Sequence, residues 1–171
     1  MFLPVRDALD EYAADVQAAV AVAEEVPDQV PLGGRVAEPM SRTGYDAFVL
    51  EGASASPVYL EICDDGVRFH DAADIWGADA YKAQDMVTER VARKDAGILV
   101  IGPAGEKMVR FAVIANNYWR HAGRSGAGAV MGSKNLKGIV ARGKCKIPIR
   151  DKKRFRKSVK KWTRMLKGHP A

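Results

Sequence analysis

The stretch Tyr118–Gly138 reads YWRHAGRSGAGAVMGSKNLKG and carries five glycines, two arginines and two lysines. Glycine lets the backbone amide come close to an anion, and flanking Arg and Lys side chains add charge-assisted hydrogen bonds. This composition favours a phosphate or pyrophosphate ligand. A flexible turn between two packed elements is an equally good interpretation of the residues alone.

Two familiar nucleotide-binding motifs do not fit this stretch. A phosphate-binding loop of the G-x-x-x-x-G-K-[ST] type fails because Ser133 stands between Gly132 and Lys134. A dinucleotide fingerprint, G-x-G-x-x-G, fails because Gly126, Gly128 and Gly132 give G-x-G-x-x-x-G. The common nucleotide-dependent enzymes are therefore removed from consideration, while a phosphate ligand is not.

Outward from this stretch, short apolar and alternating runs predict strands. They occupy residues 45–52, 57–62, 66–71, 96–105, 107–117 and 137–149. The first three are separated only by short turn-type segments, which predicts an antiparallel meander. The run 96–105 is typical of a buried strand that leads into a glycine-rich turn.

Three segments are predicted to be helices. The first, residues 6–25, has an apolar face made of Leu9, Tyr12, Ala13, Val16 and Val20. The second, residues 71–94, begins with Asp residues of the capping type, and its apolar face contains Ala80, Ala83, Met86, Val87 and Val91. In residues 151–167 the stripe is Phe155, Val159, Trp162 and Leu166, surrounded by Lys and Arg. Helices and strands do not alternate regularly, so the sequence predicts an α+β fold.

Charge is distributed unevenly along the 171 residues. The net charge is +6, but residues 144–171 hold twelve basic groups against one acid, and the rest of the chain is mildly acidic. This is a chain with a basic appendage and not a globally basic nucleic-acid binder. The N-terminus lacks the apolar core of a signal peptide, and no run is long enough to cross a membrane, so we expect a soluble cytoplasmic protein. Cys63 and Cys145 have no metal-type spacing and suggest free thiols in a reducing compartment.

Five collinear segments resemble one enzyme family. HAGRSGAGAVMGSKNLKGIVARG (121–143), IGPAGEKMVRFAVI (101–114), GYDAFVLEG (44–52), PVYLEI (57–62) and DAADIWGADAYKAQD (71–85) are similar to motifs of the aldehyde ferredoxin oxidoreductases, the tungsten enzymes. The resemblance runs from about Gly33 to Ile149. It implies the N-terminal, pterin-binding domain of that family, an α+β domain of two β-sheets with flanking helices on which one pterin lies.

The resemblance also implies cofactors and partners. Family members carry a bis-pterin tungsten, sometimes molybdenum, centre beside an iron–sulfur cluster. They oxidise aldehydes to carboxylic acids and transfer electrons to ferredoxin. A benzoyl-CoA reductase active-site subunit shares the domain, so a fragment of such a subunit is an alternative within the family.

By resemblance, the pterin contacts of the R-x-A-G-R segment correspond to Arg120, His121, Gly123 and Arg124. The arginines would fork onto phosphate oxygens, and His121, which replaces a small residue, would contact the cofactor through its main chain. Gly33 is a further contact, although Pro31 stands where the family has asparagine. On this basis we expect Arg124→Ala to lower pterin affinity more than Lys137→Ala.

The resemblance is partial, which predicts three parts: a divergent N-terminal helix (1–30), a partial pterin-binding domain (31–149), and a basic amphipathic helix (150–171) that leads to a missing domain. The cluster cysteines and substrate-handling groups of the family have no counterpart, so no residue here is assigned a catalytic or metal-binding role. Such a chain needs a complementary subunit, or is a non-catalytic remnant. Its basic C-terminal helix could instead contact a nucleic acid or a protein partner, and its apolar stripe could form a homodimer.

Overall fold

The computed structural model of the chain describes residues 35–146 and 148–168. Its strands are β1 (Val58–Cys63), β2 (Gly66–Asp71), β3 (Gly97–Val100), β4 (Ile114–Asn116), β5 (Arg120–Ala122) and β6 (Leu136–Ala141). Its helices are α1 (Ala37–Ser41), α2 (Ala80–Val91), α3 (Pro103–Glu106), α4 (Ala127–Ser133) and α5 (Lys152–Lys167). The N-terminal helix expected at 6–25 lies outside the described residues.

The six strands form one mixed sheet in the order β2-β1-β6-β3-β4-β5. All neighbouring strands are antiparallel except β1 and β6, which are parallel. The α+β class is confirmed. The described residues form one sheet where the resemblance implied two, because β6 pairs with β1 on one side and with β3 on the other and so joins the two halves.

Helix α2 covers one face of this sheet. Its N-cap residue Asp79 accepts hydrogen bonds from the backbone N–H groups of Tyr81 and Lys82, both at 2.9 Å, which fixes the start of the helix. The face predicted from the sequence is confirmed, since Ala83 and Val87 are buried against the sheet. Burying a side chain such as Val87 contributes roughly 1.5–3 kcal/mol.

The other face is covered without a further strand. Residues 45–50 are irregular, so the strand predicted at 45–52 is wrong, although Tyr45, Phe48 and Leu50 do pack on the sheet. The physical reason is that β1, its expected partner, already pairs with β2 and β6 on its two sides. These apolar side chains therefore cover the face of the sheet and do not extend its ladder.

Three other sequence predictions change in extent. The helix predicted at 71–94 comprises only Ala80–Val91. Of the strand predicted at 107–117, only Ile114–Asn116 is extended in the sheet, and of that predicted at 137–149 only the part up to Ala141. The glycine-rich stretch, expected to be a loop, contains β5 and the seven-residue helix α4.

Helix α5 confirms the amphipathic helix predicted for the basic C-terminal segment. Asp151 caps it by accepting a hydrogen bond from the backbone N–H of Arg154 at 2.8 Å. No residue of α5 is buried. Within the described ranges, none of the helices has the length and apolarity that crossing a bilayer requires.

Candidate functional site

The turn between β4 and β5 is held on helix α2. Asn117 and Tyr118 both adopt left-handed backbone conformations, with φ of 47° and 68°, which turns the chain sharply. The backbone N–H of Tyr118 donates to Oε1 of the buried Gln84 at 2.9 Å, and its hydroxyl donates to the carboxylate of Asp85. This anchoring sets the position of β5, which begins two residues later.

Strand β5 carries two of the predicted cofactor contacts at an edge of the sheet. Arg120 pairs with Asn116, and His121 pairs with Ala115, which is part of the core beneath α2. Since successive residues of a strand point to opposite faces, the side chain of His121 lies on the α2 side and that of Arg120 on the other. The two neighbouring residues are therefore not brought together as side chains.

The remaining predicted contacts follow β5 directly. Gly123 and Arg124 are exposed, as are Arg120 and His121. Neither guanidinium has a hydrogen-bond or ion-pair partner in the part of the chain that the structure describes. A Cβ placed at Gly123 would meet only Cγ1 of Val113, at 3.4 Å, so the backbone at this position is open to approach. The fifth predicted contact, Gly33, lies outside the described residues.

The donor set of this edge fits an anionic ligand. Two unpaired guanidiniums and an open glycine backbone within five residues can bind phosphate oxygens bidentately. In contrast, the described residues contain no cluster of three or more His, Cys, Asp or Glu side chains that could hold a metal ion. The edge therefore fits an anionic group such as a phosphate.

The other glycines of the stretch serve packing. A Cβ at Gly128 would lie 2.6 Å from the carbonyl oxygen of Val113, and one at Gly132 would overlap the carbonyl oxygen of Gly105. The N–H of Gly128 already donates to the carbonyl oxygen of Ala112 at 3.1 Å. The proposed phosphate cradle is thus reduced to residues 120–124, because these glycines allow α4 to pack closely on α3 and on the segment before β4.

A buried ion pair, which the sequence did not predict, joins segments that resemble the family. The Lys137 side chain is wholly buried, pairs with Glu106, and donates to the carbonyl oxygen of Ala78 at 2.8 Å. Both Glu106 carboxylate oxygens accept from the backbone N–H of Gly77 at 3.0 Å. Burial lowers the pKa of Lys137 below 10.5, and the Glu106 carboxylate opposes this shift.

This ion pair links three of the segments that resemble the family. Lys137 comes from 121–143, Glu106 from 101–114 and Gly77 from 71–85. A lysine inside the apolar run Leu136–Ala141 was the available signal, because an unpaired lysine is rarely found in a buried strand. Lys137 is therefore not an exposed cation comparable to Arg124, and it is unsuitable as a control for cofactor binding.

A second charged cluster lies at the other half of the sheet. The Glu61 carboxylate pairs with Arg142 and forms a 2.8 Å hydrogen bond with Nε2 of His70, whose ring stacks on Tyr59 at 4.7 Å. Burial opposes ionisation of Glu61, but hydrogen bonds from Arg142 and His70 outweigh it and keep its pKa below 4.5. These groups satisfy one another, which is typical of a structural cluster.

Neither of two cavities in the described residues contains the predicted contacts. One, of about 30 Å³, is lined by apolar side chains such as Leu50 and Phe69 and has room for little more than a water molecule. The other is an open groove of about 410 Å³ between α1 and the segment around Cys145. The predicted contacts Arg120, His121, Gly123 and Arg124 lie instead at an exposed edge of the sheet.

Comparison with known proteins identifies the domain. Residues 26–143 match the family described as "Aldehyde ferredoxin oxidoreductase, N-terminal domain". The chain belongs to the aldehyde ferredoxin oxidoreductase family. Within that family, it is 43% identical over 138 residues to a "Tungsten-containing aldehyde ferredoxin oxidoreductase" of Pyrococcus abyssi, covering 81% of this chain and 23% of the relative.

Proteins with other names also match the chain. An "Aliphatic sulfonate oxidoreductase, WOR-like subunit" of Pyrococcus furiosus is 35% identical over 130 residues, which cover 68% of this chain and 21% of that protein. Among solved structures, the active-site complex BamBC of benzoyl-coenzyme A reductase, bound to 1,5-dienoyl-CoA, superposes with a TM-score of 0.65 at 35% identity. That match covers 68% of this chain and 18% of the other. The chain therefore spans less than a quarter of the length of these relatives.

Proposed function

We propose that this chain provides one wall of a tungsten or molybdenum bis-pterin site in an enzyme of the aldehyde ferredoxin oxidoreductase type. The observation that carries the proposal is the exposed edge at β5, where Arg120 and Arg124 have no described partner and flank the open backbone of Gly123. The relatives named as tungsten-containing support the choice of cofactor.

Each residue would act by position and charge. The guanidiniums of Arg120 and Arg124 would hold phosphate oxygens of the pterin, and Gly123 would let its main chain come close. His121 would contribute its backbone, because its side chain lies on the opposite face of the sheet from that of Arg120. We propose Gly33 as a further contact. When bound, the tungsten-pterin supplies the two-electron redox chemistry, which the side chains named here cannot.

The complete reaction requires more protein than this chain provides. We propose oxidation of an aldehyde to a carboxylic acid in the cytoplasm, with ferredoxin as electron acceptor and with an iron–sulfur cluster and catalytic groups in further domains or on a complementary subunit. The benzoyl-CoA reductase complex found among the solved structures supports a subunit of that type as the alternative. A non-catalytic remnant of such an enzyme is the remaining alternative.

The proposal can be tested by measuring cofactor content. The chain is expressed together with the further domains or subunit that complete the enzyme, under anaerobic conditions with tungstate, and tungsten and oxidised fluorescent pterin are quantified per chain. Arg120→Ala and Arg124→Ala should each lower pterin content about tenfold or more, because each removes charge-assisted hydrogen bonds worth about 1.5–3 kcal/mol.

The matched control is Arg93→Ala, which removes an arginine that is ion-paired with Asp95 beyond the end of α2. Its pterin content should equal that of the parent chain. The melting temperatures of all three variants should lie within a few degrees of that of the parent chain, since the arginines at the β5 edge are exposed. Parent-level pterin in both edge variants would refute the assignment of this edge.

A nucleic-acid role for α5 is the second candidate, because its nine basic residues occur in a helix with no acid and no buried position. Binding through phosphate contacts would weaken steeply as salt rises. The test is to measure DNA and RNA affinity between about 50 and 200 mM salt, because phosphate contacts lose most of their affinity over this range. Absence of binding at the low-salt end would end the idea.

A further inference from the structure

The turn that leads into β5 contains a residue in a conformation that its side chain disfavours. Asn117 and Tyr118 both have positive φ, and two consecutive residues of this kind are typical of tight hairpin turns, which favour Asn followed by Gly. Tyr118 stands where glycine is favoured, and a bulky side chain in this region is strained. Strained residues persist only where surrounding contacts hold them, and they cluster at ligand-binding sites. The contacts that hold Tyr118 therefore bear on the candidate site that follows it.

Helix α2 holds Tyr118 at three points. The backbone N–H of Tyr118 donates to Oε1 of Gln84 at 2.9 Å, and its hydroxyl donates to the carboxylate of Asp85. Its ring stacks on that of Tyr81, with 10° between the ring planes. Asp85 and Tyr81 are exposed, whereas Gln84 is buried. Of these three contacts, the bond to Gln84 is the one made by the backbone of Tyr118, so it fixes the path of the chain into β5.

The packing of α2 fixes Gln84 in turn. Its neighbours Ala83 and Val87 are buried against the sheet, so the helix cannot rotate without exposing them. Asp79 caps the start of the helix, which sets where its first turn begins. The two residues before Asp79 are themselves bound by the buried ion pair, one through its N–H and the other through its carbonyl oxygen. Gln84 is therefore an acceptor held in one place by the core.

The sheet by itself holds β5 weakly. This strand has three residues, lies at the end of the strand order, and pairs only with β4. Strand β4 is equally short, and it is joined to β3 by two residue pairs, Leu99 with Asn116 and Val100 with Ala115. A short ladder at a sheet edge opens easily, because few buried contacts are lost when it does. The position of β5 therefore depends on the anchor to α2.

We propose that Gln84 is a positioning residue for the candidate cofactor site, acting through the backbone of Tyr118. It sets the place of Arg120, which follows two residues later, and with it that of Gly123 and Arg124. Two guanidiniums bind one ligand tightly only when both are held within about 0.5 Å of where its oxygens lie. The inference rests on the proposed function of this edge, and it adds a buried residue of another element that the resemblance did not single out.

Two substitutions at this position separate the acceptor from the space that it fills. Gln84→Met fills a similar volume without an acceptor oxygen, whereas Gln84→Glu keeps an oxygen that can accept whether or not the carboxyl group is protonated. Both are made in the enzyme expressed with tungstate as for the arginine variants, and pterin per chain is measured. We expect Gln84→Met to lower pterin content about tenfold and Gln84→Glu to stay within threefold of the parent. Parent-level pterin in Gln84→Met, or an equal loss in Gln84→Glu, would overturn the proposal.

Val87→Ala is the matched control for lost stability. It leaves a cavity beneath the same helix and keeps the acceptor of Gln84. Its melting temperature should fall at least as far as that of Gln84→Met, while its pterin content stays within twofold of the parent. Pterin content that simply follows the melting temperature across these variants would refute a positioning role. If Gln84→Met does not fold, Gln84→Asn, whose amide is one methylene shorter, should lower pterin about fivefold, and parent-level pterin there would refute it equally.

Hydrogen exchange distinguishes failure of this inference from failure of the proposed function. In enzyme from a host that makes no pterin, the amides of residues 118–122 should exchange about tenfold faster in Gln84→Met than in the parent, and those of β1 within twofold. Unchanged exchange at 118–122 would show that Gln84 is not the anchor. If both arginine variants lose pterin and Gln84→Met does not, the positioning role alone is wrong. If neither arginine variant loses pterin, the proposed function is wrong and Gln84 has no such site to position.

Discussion

Replacing Lys137 by methionine tests the role of the buried ion pair. The substitution keeps the length of the side chain but leaves the Glu106 carboxylate, whose side chain is only 6% exposed, without its cation. Removing one partner of a buried pair costs about 3–5 kcal/mol, because the remaining charge stays desolvated. A domain of this size has a free energy of unfolding of roughly 5–15 kcal/mol, so the variant should lose a large fraction of its stability.

The assay is urea unfolding followed by circular dichroism. With a slope of about 2 kcal/mol per molar urea, a loss of 3–5 kcal/mol should lower the midpoint by roughly 2 M. Tryptophan fluorescence gives a local signal, because the Trp76 ring centroid lies 6.0 Å from Nζ of Lys137. Lys107→Met, at an exposed position beside Glu106, should change stability by no more than about 0.5 kcal/mol.

A double-mutant cycle decides whether the loss comes from the pair itself. Glu106→Gln should also destabilise the domain, because it leaves the Lys137 ammonium buried with a neutral partner. The double variant should lose less than the sum of the two single variants. If Lys137→Met costs less than about 1 kcal/mol, or if the two losses simply add, the ion pair does not hold these segments together and the reasoning is refuted.

Two further predictions concern packing and pH. Gly132→Ala should lower the free energy of unfolding by about 3 kcal/mol or more, because the added methyl group overlaps the backbone of α3. Gly123→Ala, where the added methyl group has room, should change it by no more than about 1 kcal/mol. Equal losses in the two variants would contradict the packing role of Gly132. The pKa of Glu61 is lower in the folded chain than in the unfolded one, so the unfolded chain binds more protons below about pH 4.5 and stability falls as pH drops through the lowered pKa. The Glu61→Gln variant should therefore lose stability less steeply than the parent chain below about pH 4.5. The measurement is the melting temperature as a function of acid pH. An unchanged slope in this variant would argue that Glu61 does not interact with Arg142 and His70 as a carboxylate.

Elements whose signals are local were predictable from the sequence. The β1–β2 hairpin follows from two short β-type runs separated by two aspartates, and its register pairs Cys63 with Gly66 across that turn. Helix α2 follows from an apolar face at helical spacing, but its predicted start at residue 71 is wrong, because the helix begins at Ala80 after the N-cap Asp79. In contrast, the segment 45–52 has the composition of a strand, but whether it pairs depends on whether a distant strand still has a free edge.

The residues of the candidate site come from the resemblance, whereas their arrangement comes only from the structure. Arg120, His121, Gly123 and Arg124 were singled out by resemblance, and the structure places all four at one exposed sheet edge. The pairing of β5 with β4 separates the side chains of Arg120 and His121. Whether a glycine contacts a ligand or a neighbouring helix depends on backbone atoms far away in the sequence, so composition alone could not distinguish Gly123 from Gly132.

By itself, the sequence determined the α+β class, the amphipathic α5, the family and the residues proposed to contact the cofactor. These depend on periodicity, capping and collinear motifs, which are properties of consecutive residues. Only the tertiary structure decided that β6 unites six strands in one sheet, that Gly128 and Gly132 serve helix packing, and that Lys137 is buried against Glu106. Those features depend on which distant atoms exclude water from a side chain or occupy the space beside a backbone, and no local pattern encodes this.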